Sequence, residues 1–243
     1  FLHDVPPLMD NRVLKELDRY IALYNRADLI ILPSRNMADY LCSKGLTVKK
    51  TVIQRMWDAP VDIDLAEKPP FRRRINFAAD VVQVPRSFVQ HWDSDMVELA
   101  VTAQPGEYVW AEGRNIRYLG WFNHENLLTD ALRKSGGFGL LWHDDLAWIE
   151  YMKRNACCKL GTYLAAGLPV IVHESIPEAD TIRRKHLGLT VASMEEAIGR
   201  VAIITEEQYV QMRQAADSFG YLIRSGYFTR KLLTDAVFQL LYD

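Results

Sequence analysis

The sequence is short of three things: cysteine, net charge and long apolar runs. It has only three cysteines, Cys42, Cys157 and Cys158. An odd number without C-x-x-C spacing argues against both a disulfide framework and a zinc site, and a reduced, cytosolic setting is expected. The formal net charge of −2 gives no broad basic face for nucleic acid or an anionic membrane. The basic residues come in short runs, Arg72-Arg73-Arg74 and Arg183-Arg184-Lys185, which read as solvated faces. No apolar stretch approaches the ~20 residues that a membrane span requires. Phe1-Leu2-His3-Asp4 has no methionine before it and does not read as a signal peptide. It reads as the end of a buried strand, so the true start of the protein is expected upstream. Internal repeats and low-complexity tracts are absent too.

What remains is ordinary globular composition over a length that permits one large domain or two modest ones. Val13, Leu17, Ile21 and Tyr24 recur at helical spacing within 11–26 and predict one helix. Leu29-Ile30-Ile31-Leu32 is a short continuous apolar run, as expected of a strand buried on both faces. A second helix from Asn36 ends at Gly45, and Lys50 to Gln54 reads as another strand. This helix–strand alternation implies parallel strands covered by helices. From Ala59 to Arg74 it lapses into Pro60, Pro69 and Pro70 among charged residues, which reads as an interdomain linker.

From Ile75 the alternation resumes. Strands are predicted at 75–78, 97–101, 108–110, 116–119, 138–142, 169–173 and 190–192, and a helix stripe through Leu127, Leu128 and Leu132 stops at Gly136-Gly137. Ser193 with Glu196 and Thr205 with Gln208 are capping boxes that open helices. Tyr227 to Tyr242 carries Leu232, Leu233, Ala236, Val237, Leu240 and Leu241 along one side of a long amphipathic helix. Two α/β units joined by a linker would bind ligand at the carboxyl ends of their strands and in the cleft between them.

The densest chemistry runs from Asn155 to Ile182. A helix from about Cys157 to Ala166 is followed by a strand opened by Pro169. A second helix begins near Pro177, which suits a first helical position, with Glu178 and Asp180 in its acidic first turn. Lys159 falls in the first turn of the earlier helix, where a lysine opposes the helix dipole. It makes sense there if an anion, a diphosphate by preference, rests on the backbone N–H groups beside it. The carboxylates of Glu178 and Asp180 would then be placed for ribose hydroxyls. The plainer alternative is that Lys159 points into solvent and Glu178 only caps its helix.

The order of that helix, the Ala165-Ala166-Gly167-Leu168-Pro169-Val170-Ile171-Val172 stretch and the Ile176-Pro177-Glu178 turn resembles the nucleotide-binding half of GT-B glycosyltransferases. More narrowly, the chain resembles the streptococcal and lactobacillar glucosyltransferases that extend O-linked N-acetylglucosamine on serine-rich adhesins, a galactofuranosyltransferase-like family. The stretches that carry this likeness are His3-Asp4-Val5 with Pro7-Leu8-Met9, Tyr24-Asn25 with Ala27-Asp28, Met56-Trp57-Asp58, Gly136 to Trp142 with Asp144-Asp145, Lys159 to Val172, and Gly226 to Leu233.

The resemblance implies an α/β protein of two Rossmann-like domains with parallel sheets. Residues 1–58 would be the last part of an incomplete amino-terminal acceptor domain, 59–74 the linker, 75–226 the nucleotide-sugar domain, and 227–243 a helix crossing back to the first domain. The glycine-bearing first loop of the first domain would lie upstream.

The same resemblance implies a UDP-sugar-dependent hexosyltransferase moving glucose or galactose to a sugar hydroxyl of a glycoprotein or surface glycan. Lys159 becomes the diphosphate contact, Trp121 an aromatic neighbour of the base, and Arg86 a second phosphate contact, although Val81 to Pro85 does not follow the family's short glycine-containing loop. The alternatives are that Trp121, as a large aromatic, belongs to the core and that Arg86 is a surface residue. His3 and Asp4 should face the cleft, where either could take a proton from an acceptor hydroxyl; alternatively His3 is a satisfied histidine and Asp4 caps a turn. Asp144-Asp145 invites a metal, but GT-B enzymes generally stabilise the leaving diphosphate with helix dipoles and basic side chains, and no metal or other cofactor is expected. A homo-oligomer is expected, with no nucleic acid and no membrane span. The rival readings are a UDP-sugar epimerase on the same fold and a non-catalytic glycosyltransferase-like partner subunit.

Overall fold

The computed structural model of the chain describes residues 1–79, 81, 87–104 and 111–242. Its strands fall into two parallel sheets. In the first, β1 (Leu29–Leu32) pairs with β2 (Lys50–Ile53) in the register Leu29 to Lys50 through Leu32 to Ile53. The crossover between them is α3 (Arg35–Ser43), which starts a residue before the predicted point because the Ser34 hydroxyl accepts from the Met37 N–H. Before β1 lie α1 (Pro6–Met9), a 3-10 stretch (Asn11–Glu16) and α2 (Leu17–Tyr24). The single helix expected over 11–26 is thus split. Its opening is tightened into i+3 bonding, as in Val13 N–H to the Asp10 carbonyl, and only the Leu17 and Ile21 part is α-helical.

The opening residues do not form the expected strand. Leu2 N–H donates once to the Ile31 carbonyl, and then Pro6-Pro7 turn the chain into α1, since proline cannot extend a ladder.

The second sheet has six strands: β3 (Arg74–Phe77), β4 (Glu98–Thr102), β5 (Ile116–Gly120), β6 (Phe138–Leu141), β7 (Val170–His173) and β8 (Gly188–Val191). Their spatial order is β5-β4-β3-β6-β7-β8. The order reverses between β3 and β6, the doubly wound topology whose switch point opens a crevice at the strands' carboxyl ends. The strand expected at 108–110 lies outside the described residues. The central strands are buried on both faces: Ile75, Phe77, Phe138, Leu140 and Ile171 belong to one hydrophobic cluster, Leu141, Val170 and Val172 to the other. A strand buried on both faces is mostly apolar, and a buried polar position such as Asn76 of β3 is kept by donating its amide to the Gly136 and Phe138 carbonyls.

Arg74 is not the solvated linker residue that its run suggests. It opens β3, is buried, pairs with Glu98 and donates to the Ser135 carbonyl at 2.7 Å. Buried guanidinium is tolerated when its donors are satisfied in this way.

The helices of this half are α4 (Ser87–Gln90), α5 (Glu125–Ser135), α6 (Leu146–Met152), α7 (Cys158–Ala165), α8 (Ala179–Arg184), α9 (Met194–Ile203) and α10 (Glu206–Arg224). The Thr205–Gln208 capping box is complete. The Ser193 box is displaced, because the Glu196 carboxylate takes the Ala192 N–H instead of that of Ser193. Residues 59–73 are strapped to this half through Arg133, which donates to the carbonyls of Leu65 and Glu67, and through a Lys68–Asp217 ion pair. The last helix, α11 (Tyr227–Leu241), starts against the Asp58 carboxylate, which accepts from Phe228 and Thr229 N–H. It then lays Leu232 and Ala236 on Ile31 and Val52 of the first sheet. Among the described residues, no helix is long and apolar enough to cross a membrane.

Candidate active site

A cavity of about 240 Å³ opens at the switch point. Phe77 and Ala79 reach it from the end of β3, and Leu141, Trp142 and His143 from the end of β6. The amino end of α7 forms another wall, with Cys157, Cys158 and Lys159, and Glu178 closes it from the start of α8. The first half contributes His3, Asp4 and Arg55. Both halves of the chain therefore line one space.

The α7 wall is an anion-binding end by construction. Its N-cap, Cys157, makes no side-chain capping bond, and no acidic residue occupies its first turn. Unlike a capped helix, it directs its first N–H groups and the positive end of its dipole toward the space in front. Lys159 sits in that turn, partly buried. α7 is held in place on three sides. The Tyr163 hydroxyl accepts from Ala78 N–H at 2.8 Å, tying it to β3. Gly167, at φ +76°, ends it. Gly161 lies so close to the Trp57 carbonyl that a Cβ there would overlap it, which brings the helix directly against the first half.

The residues leading into α7 are clasped by that first half. Asp4 Oδ1 accepts from the Tyr151 hydroxyl at 2.7 Å and from Asn155 Nδ2 at 3.3 Å, while Tyr151 Oη accepts from Val5 N–H. The Ser34 hydroxyl donates to the Arg154 carbonyl, Asn36 Nδ2 to that of Lys153 at 2.9 Å, and Trp57 Nε1 to that of Ala156 at 2.7 Å. Burial and the bond to Asp4 push the Tyr151 phenol well above its usual range, so it stays a donor. The other oxygen of Asp4 lies 2.7 Å from His3 Nδ1, and the His3 ring packs on Trp57 with centroids 4.5 Å apart. A carboxylate on Nδ1 fixes an imidazole's orientation and leaves Nε2 for substrate.

The vicinal thiols have opposite tendencies. A hydrogen bond from Cys157 and the charges of Lys159 and His3 lower Cys158 to about 6, whereas that same bond and burial raise Cys157. Burial likewise raises the Glu178 carboxyl, against a hydrogen bond from Thr181 and the charge of Arg55.

His3, Asp4, Lys159 and Glu178 are thus brought together. Asp180 is not: it is on the outer side of α8, paired with Arg183 at 2.6 Å with its side chain 81% exposed. Pro177 falls before the helix, because Glu178 is the N-cap and α8 begins at Ala179. Trp121 follows the edge strand β5, two strands from the switch point, and is 46% exposed outside the cavity. Arg86 lies outside the described residues. Asp144 and Asp145 structure their loop: Asp144 accepts from Phe88 N–H at 3.2 Å, and Asp145 caps α6 through Trp148 N–H at 3.1 Å. Among the described residues, no group of three or more His, Cys, Asp or Glu side chains is placed to hold a metal ion. The sequence reading missed Arg55, Tyr151 and Asn155. Arg55 carried a usable signal, since it follows a parallel strand at its carboxyl end.

Comparison with known proteins agrees with this architecture. The Glucosyltransferase 3 of Streptococcus gordonii is 40% identical over 244 residues, covering 99% of this chain and 71% of the relative. That of Streptococcus parasanguinis is 38% identical over 243 residues, covering 100% and 71%. The crystal structure of Alr3699/HepE from Anabaena, in complex with UDP-glucose, has the same fold, with a TM-score of 0.65 at 12% identity, covering 96% of this chain and 70% of that one. Residues 1–56 match the family described as Glucosyltransferase 3-like, N-terminal domain, and residues 75–236 its C-terminal domain. The chain belongs to the glucosyltransferase 3-like family, glycosyltransferases of the GT-B fold.

Proposed function

We propose that the chain moves a hexose, glucose or galactose, from a UDP-sugar to a sugar hydroxyl of a glycoprotein or surface glycan. One observation carries the reading: the uncapped start of α7, with Lys159 in its first turn, opens into the cavity at the sheet's switch point. The diphosphate of the donor rests there, on the first N–H groups and the Lys159 ammonium. As the glycosidic bond breaks, the negative charge that grows on the leaving UDP meets donors already aimed at it. Glu178 accepts from the ribose hydroxyls.

On the other side, His3 Nε2 takes the proton of the attacking hydroxyl. Asp4 holds the ring, and Tyr151 and Asn155 hold Asp4. A positioned base of this kind is worth roughly 10²–10⁴ in rate. The Trp142 and Trp148 side chains in the lining keep water from the donor, whose hydrolysis would compete. The enzyme acts as a homo-oligomer.

The test is acceptor-dependent UDP release from UDP-glucose and UDP-galactose by the full-length protein. His3→Gln should cut that release by roughly 10²-fold or more with UDP affinity intact. A His3→Gln enzyme as fast as the parent removes His3 from the chemistry, and sugar products without transfer overturn the transferase reading.

A further inference from the structure

The turn after β2 is built in a way that its place in the fold does not require. Met56 N–H donates to the Gln54 carbonyl at 2.8 Å across Arg55, whose φ is +65°. An i to i+2 bond closed over a positive φ is the rare, strained form of the γ-turn. Glycine would adopt it readily, whereas an arginine adopts it at a cost. The surroundings hold it there. Gln54 N–H and Arg55 N–H donate to the Leu32 and Pro33 carbonyls, and the buried Gln54 side chain donates to the Met56 carbonyl at 2.6 Å. Strain that is over-determined in this fashion clusters where a side chain must be presented.

The residue presented, Arg55, lines the cavity shared with Lys159 and, on its other side, the groove between β2 and α11. Among the described residues it has no hydrogen-bond or ion-pair partner. Its charge acts on Glu178, the nearby carboxylate of α8, without closing an ion pair on it. Arginine's planar fork matches two oxygens of one phosphate, where lysine offers a point charge. A diphosphate carries more negative charge than Lys159 alone neutralises, and α7 meets it from one side only.

We infer that Arg55 is a second diphosphate contact, supplied to the donor from the acceptor half of the cleft. This rests on the placement of the diphosphate at α7. The donor then bridges the two halves, with Lys159 on one and Arg55 on the other, and donor binding draws the acceptor half onto the site.

Titration calorimetry of the full-length protein with UDP and with uridine tests the inference. Arg55→Gly and Arg55→Asn, which suit the positive φ, should keep or raise the melting temperature and weaken UDP tenfold or more, while leaving uridine unchanged. Arg55→Lys, which keeps the charge and loses the fork, should fall between them and the parent. Full UDP affinity in Arg55→Gly and Arg55→Asn, alongside its loss in Lys159→Ala, overturns the role of Arg55 and leaves that of Lys159 standing. An equal loss of UDP and uridine overturns it as well, by assigning Arg55 to domain geometry instead of phosphate. A parent protein that does not prefer UDP to uridine overturns both placements together.

Discussion

At the scale of single residues, what could be read in advance was charge in the wrong place. Lys159 in a helix's first turn is unfavourable for the helix alone, and it faces the cavity. Glu178 was singled out as an acidic residue in a favourable first turn, and it lines the cavity from the N-cap position of α8. Trp121 and Asp180 stand outside the cavity, since residue type says nothing about which strand edge or helix face a side chain occupies. Asp4 owes its surroundings to Tyr151 and Asn155, more than a hundred positions away, and no local pattern encodes that.

The thiols give a prediction at this scale. With Cys158 lowered to about 6 by Cys157, Lys159 and His3, its thiolate predominates above that pH, whereas Cys157 stays protonated. Iodoacetamide at pH 7 should therefore label Cys158 faster than Cys42, by mass spectrometry of digested protein, and UDP should slow it. Equal labelling of Cys42 and Cys158, or no protection by UDP, would contradict the anion-binding start of α7.

At the scale of elements, the buried strands were the most legible. Strands β6 and β7 touch apolar neighbours on both faces, so their apolar runs stand out, whereas β3 carries buried Arg74 and Asn76 among its apolar residues. The amino-terminal helices were less legible, because proline turns and i+3 bonding broke a stripe that looks continuous on paper. The clasp around the entry to α7 makes two predictions here. Gly161→Ala drives a methyl into the Trp57 carbonyl and should cost about 1–3 kcal/mol in chemical denaturation. Tyr151→Phe leaves Val5 N–H and Asp4 each short of a partner and should cost about 1–3 kcal/mol, with a larger fall in transfer rate than in UDP affinity. If Tyr151→Phe is as stable and as active as the parent, the clasp does not position Asp4.

At the scale of the whole molecule, alternating helix and strand signals implied parallel sheets, but not their order. The reversal between β3 and β6 that creates the crevice depends on non-local pairing, invisible to periodicity; it came in advance only through family resemblance. The return of α11 to the first sheet is a matter of the same kind. Leu232 and Ala236 read as one apolar side, but their partners Ile31 and Val52 are far away in sequence. Leu232→Ala should cost about 2–5 kcal/mol and loosen the joint between the halves, a loss visible as a lower melting temperature.

The most direct test of the diphosphate's place is a thermal-shift series with UDP, UDP-glucose, UDP-galactose and GDP on the parent and on Lys159→Ala. A ligand at a hundredfold excess over its Kd stabilises the native state by ~2.7 kcal/mol, which corresponds to several degrees. The uridine diphosphates should raise the parent's melting temperature by that much and GDP by less, with most of the rise gone in Lys159→Ala. A variant that keeps the full rise would show that the pyrophosphate does not rest at the start of α7.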